Sequence, residues 1–341
     1  MEQHIRPLTL GDMFDRTFRV LGTTFWRNAA LGVILFLPGT ILLAYGLHEF
    51  TSIIANLITS IDPNGAGPEA FEDMSWDGIF PVLATFLGSM LILGLGALLL
   101  SLASLLAGLA MMRINAASTQ GEQLEWIDAL RHVSGIVFLR SIGQSLLQGL
   151  AMFAMFVVPY ALIFTGVDGL IVVGVLGILG VVPVMIWLSI RWIFCQTVIA
   201  VEDDTAVHSF SRSGYLVRDH WWRTLGIMML FSITGSFAIQ IVTAPLALVA
   251  MWGFFKSYIE MIMNMSSGDG PSPVQIAGML RSLGIGYAAF IALTTLLTQL
   301  FTAAYVVIMY FDLRARKGEF PDPVTADDVQ LSGNDEIMSF K

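Results

Sequence analysis

Six strongly apolar stretches, with the basic residues gathered between alternate pairs of them, constrain this chain more than any other feature. Arg6, Arg16, Arg19 and Arg27 precede the first stretch, and Arg113, Arg131 and Arg140 lie between the second and third. Arg191, Arg212, Arg218 and Arg223 lie between the fourth and fifth, and Arg314, Arg316, Lys317 and Lys341 follow the sixth. Of the 17 basic residues only Lys256 and Arg281 fall on the other side. Cytoplasmic loops of membrane proteins retain Lys and Arg. The pattern therefore predicts a multi-pass membrane protein with both ends in the cytoplasm.

A helix needs about 20 apolar residues to cross the hydrocarbon core. Spans are expected near 29–48, 80–112, 143–165, 169–200, 222–252 and 281–311. Several exceed the minimum, so tilt or extension beyond the bilayer is expected. Barrel strands run only about 9–11 residues and alternate apolar with polar side chains. These stretches are longer and apolar on every face, which predicts an all-α bundle of six transmembrane helices. Charged residues make up 13% of the chain and apolar ones 56%; soluble domains carry roughly 25% charged residues. Residues 1–317 read as one membrane domain and 318–341 as a flexible acidic cytoplasmic tail. Much of the net charge of −9 sits in that tail and in the loop around 62–77. The start of the chain has no short apolar core followed by a small-residue cleavage site, so the first span is expected to act as the targeting signal. Cys195, the single cysteine, cannot form an intramolecular disulfide.

Packing features recur within the spans. Gly174, Gly177 and Gly180 form one small-residue stripe, and Ala97, Ser101, Ser104 and Gly108 another; such stripes let helix backbones approach closely in lipid. Pro38, Pro159, Pro183 and Pro245 predict local bending, with a gating hinge as the sharper alternative. Gln144, Gln148, Gln240, Thr243, Thr294, Thr295, Thr298 and Gln299 are expected to bond between helices; lining a cavity is the second reading. The third and fourth spans are separated only around Gly166 and Asp168, which predicts a tight hairpin. Turn formers Pro63, Gly65, Gly67 and Pro68 mark one outer loop, and 266–271 a second. Ser272 followed by Pro273 predicts a capped helix start.

The chain also repeats internally. Phe14-Asp15-Arg16-Thr17 aligns with Phe210-Ser211-Arg212-Ser213, and ten residues after each arginine come Trp26-Arg27 and Trp222-Arg223, each entering a span. Arg131 and Arg140 form a weaker copy, with Phe138 as the displaced aromatic. The predicted unit is a short interfacial amphipathic helix, a turn and two spans, repeated three times over about 8–115, 120–200 and 204–316. In the first such helix Met13, Phe14, Thr17, Phe18 and Leu21 face lipid or bundle while Asp12, Asp15, Arg16 and Arg19 face water. Thr9 and Asp12 have capping-box-like spacing. Trp26, Trp221 and Trp222 suit anchoring at headgroup depth.

The run Leu8-Thr9-Leu10-Gly11-Asp12-Met13-Phe14-Asp15-Arg16-Thr17-Phe18 resembles the start of the glycerophosphoryl diester phosphodiesterase membrane-domain family. The central Arg191, Glu202, Ser209 to Ser213 and Trp222-Arg223 resemble it too, as does the closing Tyr310-Phe311-Asp312-Leu313-Arg314. The resemblance covers nearly the whole chain. It implies a standalone membrane domain and a bacterial cytoplasmic membrane. In that family a catalytic domain can follow the membrane domain; here the chain ends at Lys341, so no hydrolase activity is expected from the likeness.

Chemistry-bearing patterns are sparse. The five histidines show no metal-ligand spacing, and neither a phosphate loop nor a Gly-x-Ser-x-Gly elbow is present. Glu202, Asp203 and Asp204 read as acids complementing a helix N-terminus, with metal binding as the alternative. Arg191 is the deepest cation. It is expected to snorkel or to pair with Asp312 or Asp15, while anion or headgroup binding is the functional alternative. The interfacial candidates are therefore Arg16, Trp26, Arg27, Arg131, Arg191, Arg212, Trp222, Arg223 and Asp312, with no catalytic, metal or cofactor site and no cofactor. Expected partners are membrane lipids and a membrane or cytoplasmic protein, not nucleic acid. A non-enzymatic scaffold or accessory protein is the leading expectation. A transporter or channel for a lipid-like or amphipathic molecule is the alternative.

Overall fold

A computed structural model describes residues 7–61, 76–266 and 272–320. The loop formers at 63–68, the second outer loop at 267–271 and the tail from 321 lie outside the described residues. The helices are α1 (Leu10–Ile61), α2 (Trp76–Thr119), α3 (Trp126–Val133), α4 (Ile136–Ile163), α5 (Asp168–Arg191), α6 (Cys195–Glu202), α7 (Ala206–Val217), α8 (Trp221–Ala250), α9 (Trp252–Ser266) and α10 (Pro273–Arg316). No strand occurs among the described residues. Six helical stretches are long and apolar enough to cross a membrane: Leu10–Thr59, Phe80–Thr119, Ile136–Ile163, Asp168–Glu202, Trp221–Ala250 and Pro273–Arg316. Their outward faces are apolar along their length, with Leu37, Leu91, Leu150, Leu179 and Ile241 all exposed. So much contiguous apolar surface is what lipid, and not water, tolerates.

Local chemistry explains several boundaries. Thr9 and Asp12 bond reciprocally at the start of α1, Thr9 N–H to Asp12 Oδ2 at 3.2 Å and Asp12 N–H to Thr9 Oγ1 at 3.3 Å. Ser272 and Gln275 form the same box before α10, with Pro273 in the first turn. Gly166 takes a positive φ of 71° and closes the α4–α5 hairpin. In that hairpin a Cβ on Gly174 would lie 2.7 Å from the Pro159 carbonyl oxygen. Gly177 also meets Pro159, whereas Gly180 faces open space. The prolines at 38, 159, 183 and 245 all lie inside helices and end none of them.

Three expectations need correction. The first amphipathic segment is not a separate interfacial helix, because α1 runs unbroken for 52 residues, about 78 Å at 1.5 Å per residue. Thr23 and Thr24 donate their hydroxyls to the Val20 carbonyl inside that helix. Ser134–Gly135 and 218–220 interrupt the equivalent places before α4 and α8. The fourth span is broken at 192–194, between α5 and α6. Ser213 of α7 satisfies the break, its hydroxyl donating to the Arg191 carbonyl at 2.8 Å and accepting from Phe194 N–H at 3.2 Å. Unpaired backbone groups at membrane depth need such partners. Finally, the tail does not begin free at 318. Glu319 is ion-paired to Arg212 and Arg314, and Phe320 packs on the Phe311 ring at 6.1 Å.

The core is built on α10, whose side chains from Ala303 to Leu313 are all buried. It packs with α1 and α2. Phe231 of α8 joins them through stacked rings, 4.2 Å from Phe14 and 5.2 Å from Tyr305. The α4–α5 hairpin meets the rest chiefly through α6, α7 and the start of α8. Leu8 N–H donates to Asp312 and its carbonyl accepts from Arg316, which brings the start of α1 to the end of α10. The arginine-rich segments share that basic end.

Candidate functional site

Three arginines, each near the start of a span, reach across the basic end to a carbonyl just ahead of another segment's first helix. Arg27 Nη1 donates to the Leu124 carbonyl at 3.2 Å, before α3. Arg140 Nη1 donates to the Asp203 carbonyl at 2.6 Å, before α7. Arg223 Nη2 donates to the Leu8 carbonyl at 2.9 Å, before α1. The donors belong to α1, α4 and α8 and the acceptors precede α3, α7 and α1, so the three latches close a cycle. Guanidinium suits this task because it stays charged and offers several donors in a fixed fork.

Two carboxylate hubs reinforce the cycle. Asp312, whose side chain is fully buried, accepts from Leu8 N–H at 2.6 Å, Arg223 at 3.2 Å and Arg316 at 3.0 Å. The second hub joins α6, α7 and α10. Arg212 forks onto Glu202 at 2.8 Å and Glu319 at 2.6 Å, while Arg314 reaches Glu319 at 2.6 Å and Tyr310 hydroxyl donates to Glu202. Burial pushes Glu319 up, but the hydrogen bonds from Arg212 and Arg314 outweigh it and hold the carboxyl below its ordinary value of 4.5. A depressed folded pKa stabilises above the unfolded value and loses that stabilisation as pH falls through the folded one. The Tm advantage of the wild type over Glu319→Gln is thus expected in full at neutral pH and to fade as pH falls below 4.5. An advantage that grows on acidification would contradict the clasp.

The acidic triplet does more than complement a helix dipole. Glu202 ends α6 on Arg212. Asp203 caps α6 in a left-handed conformation, φ 55°, and takes Arg113 at 3.4 Å and His132 at 2.7 Å. Asp204 pairs with His208, and Thr205 is the residue that caps α7. Among the described residues no three His, Cys, Asp or Glu side chains form a potential metal cluster.

The other sequence candidates are dispersed around this end. Arg191 pairs with neither Asp312 nor Asp15; its guanidinium lies over the Trp187 ring at 5.1 Å. Asp312 is too well filled by Arg223 and Arg316 to take it. Arg131 is exposed and only loosely paired to Asp128, at 3.9 Å. Arg16 is half-buried. Trp26 and Trp222 are among the most exposed large side chains, at 81% and 78%. Missed from sequence were Arg140's latch, Tyr310 as a donor, and Glu319.

Concavities open both at the basic end and along the bundle. A cleft of about 610 Å³ opens where α5 meets α8, lined by Trp187, Arg218, His220, Trp221, Trp222 and Arg223 among others. A narrower groove of about 200 Å³ runs between α8 and α10, lined by Ser232, Ser236, Gln240, Thr294, Thr298 and Thr302 among others. Thr294 Oγ1 is buried there without a hydrogen-bond partner among the described residues. Of the polar side chains expected to bond between helices, Gln299 does so, donating to Ser104 carbonyl at 2.9 Å. Gln144 bonds Gln148 and Thr243 bonds Ile239, both within one helix.

Residues 22–313 match the family model of a domain of unknown function (DUF7847). No curated protein and no solved structure matches the chain.

Proposed function

The chain belongs to the DUF7847 family, a domain of unknown function, and on that premise we propose that it is a non-enzymatic membrane scaffold. It lies in a bacterial cytoplasmic membrane with its basic end and both termini in the cytoplasm, and it presents α3, α7 and the start of α1 to a protein partner. The closed cycle of Arg27, Arg140 and Arg223 latches carries this reading. It ties three short amphipathic segments into one platform and commits the cations to structure instead of to a reaction. The same cycle supports three repeat units, since each latch donor follows its own unit's amphipathic segment and grips the next unit. Fusion of the first segment with α1 is the departure from strict repetition. The likeness to the glycerophosphoryl diester phosphodiesterase membrane-domain family rests on the motif residues alone, and Arg212, Arg223 and Asp312 among them are parts of the hubs.

The test is native mass spectrometry of protein extracted gently from its own membrane, comparing wild type with an Arg131→Glu, Val207→Glu double variant. Both side chains are well exposed, so the bundle should stay folded. A stoichiometric protein partner held by the wild type and lost by the variant is the expected result. Wild-type protein that carries no protein partner sinks the scaffold reading. The groove lined by Gln240, Thr294 and Thr298 favours a second reading, passage of an amphipathic molecule. Retention of a small amphiphile without any protein would shift the balance to it.

A further inference from the structure

We propose that the cleft between α5 and α8 binds the phosphate group of an anionic amphiphile. The cleft is cationic, and part of its charge is uncommitted. Arg218 and Arg223 both line it, and Arg191 stands beside it over the Trp187 ring. No carboxylate lies within ion-pair distance of Arg191 or Arg218 among the described residues. Asp219, the one carboxylate of the lining, is held by Lys317. Arg223 is anchored by Asp312 and the Leu8 carbonyl, which fixes its position without neutralising the cleft as a whole. The surroundings are positive enough that His220, pushed down first by its burial, is pushed further by Arg316 and Lys317.

The geometry selects a phosphate at a membrane surface. Guanidinium groups bind phosphate oxygens in bidentate fashion, and basic pockets between spanning helices accept phospholipid head groups. Trp221 and Trp222 meet edge to face, with ring centres 4.7 Å apart. The Trp221 indole N–H points to the Trp187 carbonyl at 3.5 Å, joining the two walls. Tryptophan belongs at headgroup depth, so the cations are held where lipid phosphates lie. Towards the bilayer the walls continue as exposed Ile186 on α5 and Met229 and Ile233 on α8, an apolar path for acyl chains. The site is independent of the scaffold reading, because a platform needs no phosphate in this cleft.

The experiment is native mass spectrometry of the full chain in detergent, titrated with phosphatidylglycerol and separately with phosphatidylcholine. The wild type is expected to retain phosphatidylglycerol preferentially. Arg218→Gln and Trp222→Ala should each cut that retention, the arginine by about ten-fold if one charged hydrogen bond is lost. Both side chains are exposed, so the fold should survive. Lys256→Gln, an exposed cation on α9 away from the cleft, should retain the lipid as the wild type does. Equal retention of the two lipids, or wild-type retention by both cleft variants, overturns the proposal. Millimolar inorganic phosphate identifies the source. Displacement of the lipid places a soluble phosphate in the same cleft, and resistance assigns the site to lipid headgroups; either supports the cleft.

Discussion

Gly96→Leu is expected to prevent the protein from folding, while Gly94→Ala two residues away leaves it intact. A Cβ on Gly96 would lie 2.5 Å from the Leu43 nitrogen and 2.7 Å from its Cα, and one on Gly46 would lie 2.6 Å from the Leu93 nitrogen. Gly39 faces the Leu100 backbone in the same way, at 2.7 Å. These are backbone contacts, so no side-chain rotation can relieve them. In lipid, association of helices rests on such close packing because lipid tails are as apolar as leucine. Overpacking a core costs about 1–3 kcal/mol when side chains can shift; here α1 and α2 must separate, and the cost should exceed that range. Gly94 has nothing within 4 Å of its Cβ position. There alanine should be neutral or slightly stabilising, by up to about 1 kcal/mol from helix propensity. Detergent-solubilised yield, monodispersity and Tm are the measurements. Equal Tm for the two variants would refute the α1–α2 contact.

The second large effect falls on Asp312. Its carboxylate is fully buried, and removing it takes the acceptor from Leu8 N–H and the counter-charge from Arg223 and Arg316 together. Breaking a buried ion pair from one side costs about 3–5 kcal/mol because the remaining charge stays desolvated. The two arginines retain about a quarter of their exposure, so the lower end, about 3 kcal/mol, is expected for Asp312→Ala. Asp312→Asn keeps an acceptor for Leu8 and should lose less. Arg316→Ala should lose least, since Arg223 still answers the carboxylate. Thermal unfolding of the three purified variants checks the order. If alanine at 312 is as stable as wild type, the junction between the start of α1 and the end of α10 is not held by this carboxylate.

Span existence was legible because it needs only a local property, apolar character sustained for some twenty residues. The small-residue stripe at 174–180 was readable for the same reason, although only Gly174 and Gly177 touch the partner helix. The seven-residue step from Gly39 to Gly46, two glycines that meet the α2 backbone, is equally a local feature of the sequence. Depth in its span suggested that Arg191 snorkels or finds a carboxylate such as Asp312 or Asp15, but spacing cannot tell which of many acids will be near, and its guanidinium lies over an aromatic ring.

The chain order alone settled that this is a helical bundle with basic residues at one end and Trp-Arg pairs where spans begin. Those features follow from hydropathy and side-chain type within a few turns. The tertiary structure decided that α1 continues where α3 and α7 stand apart. It also decided that the fourth span breaks over Ser213, and that Arg27, Arg140 and Arg223 each grip a neighbouring segment's backbone. Backbone carbonyls are chemically identical along a chain. Which one an arginine finds depends on how segments up to 215 residues apart are packed, and no local pattern of residues records that.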